Sequence, residues 1–300
     1  MSQPSPDAAR PADRSAFAPL LIFVSGTVSY VGAGIAVLLF AVLPIGTVAW
    51  GRVATAAVVL LAWRRPWHGR TIKDLWRPAI FGVVLVGMNF LFYYAIDLIP
   101  LGTAVALEFL GPVVLAATTG RGWRIRLGIV LALTGVFLIS WIGVDLKADG
   151  VALGVGLAII AGWLWAGYMW LGRKLATSGS GIDQLAIGTA IAAILTIPIA
   201  APGLPDLFTN AKWLGMMVVV GVLSSVVPYV LDQVMMRHLA PATFALLNSL
   251  LPALSLLVGL VMLRQVPTWG ETLGLIFISA AVAIATFPGH LPHAGARKDK

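Results

Sequence analysis

The sequence predicts an all-α membrane protein: ten transmembrane helices arranged as two inverted five-helix repeats, with both termini cytoplasmic. Three observations predict it. Apolar types make up 59% of the 300 residues and charged types 11%, with a mean hydropathy of +0.95, whereas soluble domains run at about 45–50% and about 25%. Apolar runs long enough to cross a bilayer recur along the whole chain. The basic residues fall almost entirely into alternate loops. A soluble domain must still cover itself with polar groups, so a soluble enzyme, a disordered chain and a folded nucleic-acid binder are all set aside.

A helix needs roughly 20 mostly apolar residues to cross a hydrocarbon core. The first run, Phe17–Phe40, follows Arg10 and Arg14 as a secretory signal would. It continues beyond the roughly 7–15 residues of a signal core, with no Arg-Arg pair ahead of it, and reads as a retained first helix. Pro44–Ala62, Ala79–Leu98, Leu101–Thr119 and Leu127–Gly143 complete a first half. After the loop Val144–Gly150 come Val151–Leu171, Gln184–Ala200, Trp213–Arg237, Pro241–Leu263 and Trp269–Phe287. Leu127–Gly143 and Gln184–Ala200 are the shortest, at the lower limit for a span. The expected organisation is a cytoplasmic tail (1–16), two repeats (17–143 and 151–287) and a basic cytoplasmic tail (288–300), with no room for a soluble domain.

Orientation follows from the 20 Lys and Arg. With the N-terminus inside, one side holds Arg10, Arg14, Arg64, Arg65, Arg70, Lys73, Arg77, Arg121, Arg124, Arg126, Arg173, Lys174, Arg237, Arg297, Lys298 and Lys300. The other holds Lys147, Lys212 and Arg264, and Arg52 lies within a span. Sixteen against three places both tails in the cytoplasm of a bacterial-type inner membrane. The net charge of +8 is then a consequence of topology. Trp63, Trp67, Trp76 and Trp123 fall at the inner boundary and Trp141, Trp213 and Trp269 at the outer one, as interfacial anchors do.

A shift of 140 residues lays Thr103–Pro112 over Thr243–Pro252, with Thr, two Leu and Pro coinciding. Five helices per half means that the second half enters from the opposite face. Such inverted repeats are common in secondary transporters, with the binding site near the midplane beside helices broken by Pro or Gly. Pro112 and Pro252 stand at matched positions, each removing a backbone hydrogen bond. They read either as breaks beside a ligand or as packing kinks.

Charges at the bilayer centre cost at least ~2.5–3.5 kcal/mol on insertion scales, so each needs a reason. At ~1.5 Å rise per residue, Arg52 lies ~12 Å, Asn89 ~14 Å and Glu108 ~10 Å from the outer ends of their helices, and Asn248 ~10 Å from the inner face. The approximate counterparts of Arg52 and Glu108 in the second half are Gly188 and Asn248. In one reading, Arg52 takes a substrate carboxylate through its planar fork and Glu108 takes an ammonium or a proton. In the other, the two form a structural ion pair. Tyr93, Tyr94, Tyr229, Trp163 and Trp165 either line a cavity or pack the bundle. Asp232 and Gln233, about one turn from Arg237, read as facing the cytoplasmic interface. Gly270 and Gly274 have small-xxx-small spacing and read as helix packing, within the chain or in a homodimer.

The chain has no cysteine, which removes thiol chemistry and Cys-based metal sites. His68, His238, His290 and His293 fall in loops or tails, with no paired spacing for a metal. No cofactor is implied. A membrane enzyme would need a nucleophile with a base, or metal ligands, at membrane depth, and an ATP-driven pump would need a Walker A sequence. Neither pattern occurs, so the chain reads as a carrier rather than an enzyme. A channel-like facilitator remains open.

Two segments carry a family resemblance. Gly82–Ile96, containing Met88-Asn89, and Pro100–Pro112, containing Ala106-Leu-Glu-Phe-Leu-Gly-Pro112, closely resemble the threonine/homoserine exporters of the EamA-type branch of the drug/metabolite transporter superfamily. Val227-Pro-Tyr229 and Thr243–Pro252 are similar to the matching second-half segments. The resemblance extends over Phe17–Phe287. It implies a ten-helix inner-membrane carrier exporting small amino acids or related metabolites, driven by protons. The binding or coupling residues would be Arg52, Asn89, Tyr93, Glu108, Tyr229 and Asn248. An exporter of hydrophobic cations is the alternative. Leu251 stands where members often carry Glu before the ninth-helix Pro, and Arg264-Gln265 where they often have Gly-Glu.

Overall fold

A bilayer leaves unpaired backbone N–H and C=O groups no water to bond, so a spanning chain must satisfy them within helices or a closed barrel. The computed structural model describes residues 18–67, 71, 74–113, 123–138, 145–177, 180–238, 248 and 251–286, and among these there are helices and turns but no strands. In chain order the helices are α1 (Ala18–Leu39), α2 (Ile45–Arg64), α3 (Trp76–Leu98), α4 (Leu101–Glu108), α5 (Trp123–Phe137), α6 (Val151–Thr177) and α7 (Gly181–Leu195). After these come α8 (Ile197–Ala200), α9 (Leu204–Thr209), α10 (Ala211–Gly221), α11 (Val227–His238), α12 (Leu251–Leu263) and α13 (Trp269–Thr286).

Among the described residues, five helices are long and apolar enough to cross a membrane: Leu20–Leu39, Ile45–Arg64, Trp76–Leu98, Val151–Thr177 and Ala211–Arg237. Gly181–Leu195 and Ile197–Thr209 make a sixth candidate, bent by 55°. Shorter apolar helices cover Leu101–Val113, Arg126–Phe137, Leu251–Leu263 and Trp269–Ala281. The remainder of the expected fourth, fifth and ninth spans lies outside the described residues, as do Trp141, Thr243 and both tails.

Two spans depart from the straight helices that hydropathy implies. The Gln184–Ala200 run breaks at Thr196, whose hydroxyl donates back to the Ala192 carbonyl at 2.7 Å. Pro198 follows, and its ring would clash with the Ile194 carbonyl in a continuing helix. The Trp213–Arg237 run is interrupted by a π turn at Val222–Val226. Here Pro228 has no N–H to give the Ser224 carbonyl four residues earlier.

The helices pack in a defined set of pairs. α3 packs along α6 and α7, α5 along α13, α2 along α7, and α4 against α6 and α12. α1 packs against α12, α11 and the π turn, and α2 against α10. Gly274 belongs to the α5–α13 pair: a Cβ on Gly135 would stand 2.8 Å from its carbonyl oxygen. The small-xxx-small face is therefore used inside the chain. At one end of the bundle, the Leu101 N–H that opens α4 donates to Gln265 Oε1 at 3.0 Å. Thr103 bonds Glu271, and Glu271 Oε2 accepts the Thr268 N–H at 2.8 Å. Gln265 thus supplies an acceptor to the start of a helix whose own N-cap, Pro100, has none.

Candidate functional site

Arg52 sits on the eighth position of α2 and is 5% exposed. A guanidinium at that depth needs acceptors, and the π turn supplies them. Nε donates to Ser225 Oγ at 2.9 Å. Nη2 donates to the orphaned Ser224 carbonyl and to Tyr229 Oη at 3.2 Å. Tyr229 Oη in turn donates to Asn89 Oδ1 at 2.7 Å, and Asn89 Nδ2 donates to the Leu85 carbonyl at 2.6 Å. The guanidinium also lies over the Tyr93 ring, 4.8 Å from its centroid. Nε and Nη2 are engaged, so Arg52 offers a ligand its Nη1 end rather than the symmetric fork expected from sequence.

A cavity of about 100 Å³ opens beside this network. Arg52, Asn89, Glu108, Tyr229 and Asn248 all line it. Five of the six binding or coupling residues read from the sequence therefore meet on one surface, although they come from α2, α3, α4, α11 and the segment before α12. Tyr93 is fully buried and reaches the cavity through Arg52. Glu108 is half-buried, and its carboxylate forms no ion pair with Arg52, whose partners are Ser224, Ser225 and Tyr229. Asn248 is 5% exposed, with Nδ2 lacking a hydrogen-bond partner among the described residues.

The prolines explain where the polar groups fall. A helical proline deprives the carbonyl four residues earlier of its donor. Pro112, Pro228 and Pro252 stand four residues after Glu108, Ser224 and Asn248. Ser224 gives its carbonyl to Arg52. At Glu108 the helix α4 ends, and α6 crosses so closely that a Cβ on Gly162 would lie 2.2 Å from the Glu108 carbonyl oxygen. Pro252 lies in α12, four residues after Asn248, which is also helical. Residues 249–250, which would join it to Asn248, lie outside the described residues.

Asp232 differs from the interfacial position expected for it: it lines the cavity, with Tyr168 Oη donating to Oδ2 at 3.5 Å. Gln233, expected beside it at the interface, is 2% exposed. Trp165 and Tyr30 also line the cavity, whereas Trp163 is 63% exposed and Tyr94 faces outward. Ser224, Ser225 and Tyr30 were not legible as site residues. The signal for the serines was Pro228, four residues past Ser224. Among the described residues, no group of three or more His, Asp or Glu comes together to hold a metal.

Comparison with known proteins gives a consistent picture. The family model described as the EamA-like transporter family matches residues 152–287. The threonine/homoserine exporter RhtA of Salmonella typhimurium is 36% identical over 263 residues, covering 87% of this chain and 88% of that protein. RhtA of Escherichia coli is 35% identical over 251 residues, covering 83% and 84%. A crystal structure superposes with a TM-score of 0.63 at 18% identity, over 90% of this chain and 96% of that one, a likeness of fold.

Proposed function

The chain belongs to the EamA-like transporter family and is a multi-pass membrane transporter; from that premise we propose that it exports threonine, homoserine and similar small polar amino acids across the bacterial inner membrane in exchange for protons. The observation that carries this reading is the cavity. It offers a zwitterion the Nη1 end of Arg52 for its carboxylate and Glu108 for its ammonium, with the amide of Asn248 for a side-chain hydroxyl. Its volume of about 100 Å³ favours a small solute over hydrophobic cations, since pockets for drug-sized ligands run to about 300–1,000 Å³. A cation exporter would use Glu108 and Asp232 as its site and leave Arg52 structural.

The charges support proton coupling. Glu108 and Asp232 face the cavity against one guanidinium, Arg52. An uncompensated carboxylate at membrane depth is costly. Either an ammonium or a proton relieves it, and alternation between the two is antiport.

The packing supports two inverted five-helix repeats, 17–143 and 151–287. Exchanging α1 with α6, α2 with α7, α3 with α10–α11, α4 with α12 and α5 with α13 carries the main contacts onto one another. The α2–α7, α4–α12 and α5–α13 pairs map to themselves, and α3–α6 maps to α1–α11. Cytoplasmic tails follow from the charge sorting.

Reconstitution tests the function. Proteoliposomes holding the purified protein should take up labelled threonine saturably when a pH gradient is imposed, homoserine should compete, and an uncoupler should stop accumulation. An analogue without the hydroxyl should compete less well, because the polar groups of the site would be left unpaired. Efflux of hydrophobic cations without threonine flux would favour the cation reading.

A further inference from the structure

A groove on the flank of the helix bundle, apart from the cavity, carries charge that transport does not use. It lies between the first turns of α3 and the last turns of α6, with a volume of about 430 Å³. Its walls bring Arg77 and Lys174 together from the two helices. Both are exposed, neither forms an ion pair among the described residues, and no carboxylate lines the groove. Each cation rests against an indole of its own helix. Lys174 Nζ stands 3.5 Å from the Trp170 ring centroid, and the Arg77 guanidinium carbon 5.1 Å from that of Trp76.

These features fix the chemistry of an occupant. Trp76 and Trp170 are 58% and 52% exposed, as indoles at head-group level are. Ile80 and Leu171 continue the walls with apolar surface, Ile80 being 47% exposed. A soluble anion would satisfy the cations and leave that surface uncovered. A neutral lipid would cover the surface and leave two cations without a counter-charge. A phospholipid with an anionic head group does both.

We propose that this groove binds an anionic phospholipid of the phosphatidylglycerol or cardiolipin class, its phosphate between Arg77 and Lys174 and its acyl chain along Ile80 and Leu171. Basic pockets between transmembrane helices on the cytoplasmic side take such head groups, and both cations belong to the side assigned to the cytoplasm by charge sorting. The lipid ties α3 to α6, one helix from each half of the chain.

Native mass spectrometry of the full-length protein in detergent tests this. It would be titrated with phosphatidylglycerol and with phosphatidylcholine of the same acyl chains. The expected result is a preference for phosphatidylglycerol of roughly 10- to 30-fold, the size expected of two cations near a surface. Arg77→Gln with Lys174→Gln should erase it, while Lys147→Gln with Lys212→Gln should keep it. Equal binding of the two lipids, a preference that survives the double substitution, or displacement of phosphatidylglycerol by inorganic phosphate would each overturn the proposal. If the double variant does not fold, each single substitution should still cut the preference about 3- to 5-fold. An undiminished preference in both singles would overturn the proposal equally.

Discussion

Arg52 and Glu108 line the same cavity, yet the Nε and Nη2 hydrogens of Arg52 go to Ser224, Ser225 and Tyr229. A buried ion pair loses a partner when one side is changed and recovers when both are removed. No such recovery is expected here. Arg52→Gln and Glu108→Gln should each lower threonine transport by at least about tenfold, and the double substitution should stay inactive. Arg52→Gln should also destabilise the fold by about 1–3 kcal/mol, because the Ser224 carbonyl is left without a donor. Transport per folded protein, with thermal melting in detergent, separates the two effects. Asp232→Asn keeps the shape of its side chain and removes the charge that a proton would neutralise. The variant should retain threonine–threonine exchange and lose pH-driven accumulation; accumulation that persists would move coupling to another group. Arg52, Asn89, Glu108 and Asn248 were legible because a polar group in an apolar run stands out. Asp232 was not, because its position was judged from its closeness to Arg237 at the helix end, and depth does not say which face a side chain presents. The π turn at Val222–Val226 spaces its hydrogen bonds at i→i+5 and shifts the phase of everything after it.

At the scale of the helix, hydropathy located the apolar runs but not their breaks. It weighs composition over a window, so Pro198 and Pro228 hardly change the score although each removes a backbone donor. The 55° bend between Gly181–Leu195 and Ile197–Thr209 and the π turn were therefore hidden inside spans of ordinary hydrophobicity. Close helix crossings were hidden for a related reason, since a glycine in a membrane helix reads as one apolar residue among many. At the meeting of α6 with the end of α4, a Cβ on Gly111 would stand 1.7 Å from the Gly162 carbonyl oxygen. The obstacle is backbone, so no side chain can move aside. Gly111→Ala should force the helices apart and destabilise the protein by at least ~1–3 kcal/mol, the usual cost of overpacking. A lower melting temperature and a smaller yield of folded protein would report it, and wild-type stability would refute the close crossing.

Across the whole molecule, the sorting of charge predicts the orientation of the chain in the membrane. Topology can be tested directly, because the natural chain contains no cysteine and each introduced thiol is an unambiguous label. Cysteines at Ser2, Thr71 and Ala294 should resist membrane-impermeant thiol reagents in intact cells, and one at Ala148 should react. Labelling at Thr71 from outside would reverse the orientation. Which helix meets which, as in the pairing of α2 with α7, could not be read from the sequence, because a small-residue face marks a packing surface without naming its partner.

Arg52 belongs to the first half of the chain, but all its hydrogen-bond acceptors belong to the second. Any motion that opened a gap between α2 and the π turn would take the Ser224 carbonyl and the Ser225 hydroxyl from a buried guanidinium at once. The two elements are therefore expected to move as one body, joined at Arg52. If the proposed transport cycle holds, the freedom it requires has to be found on either side of that joint.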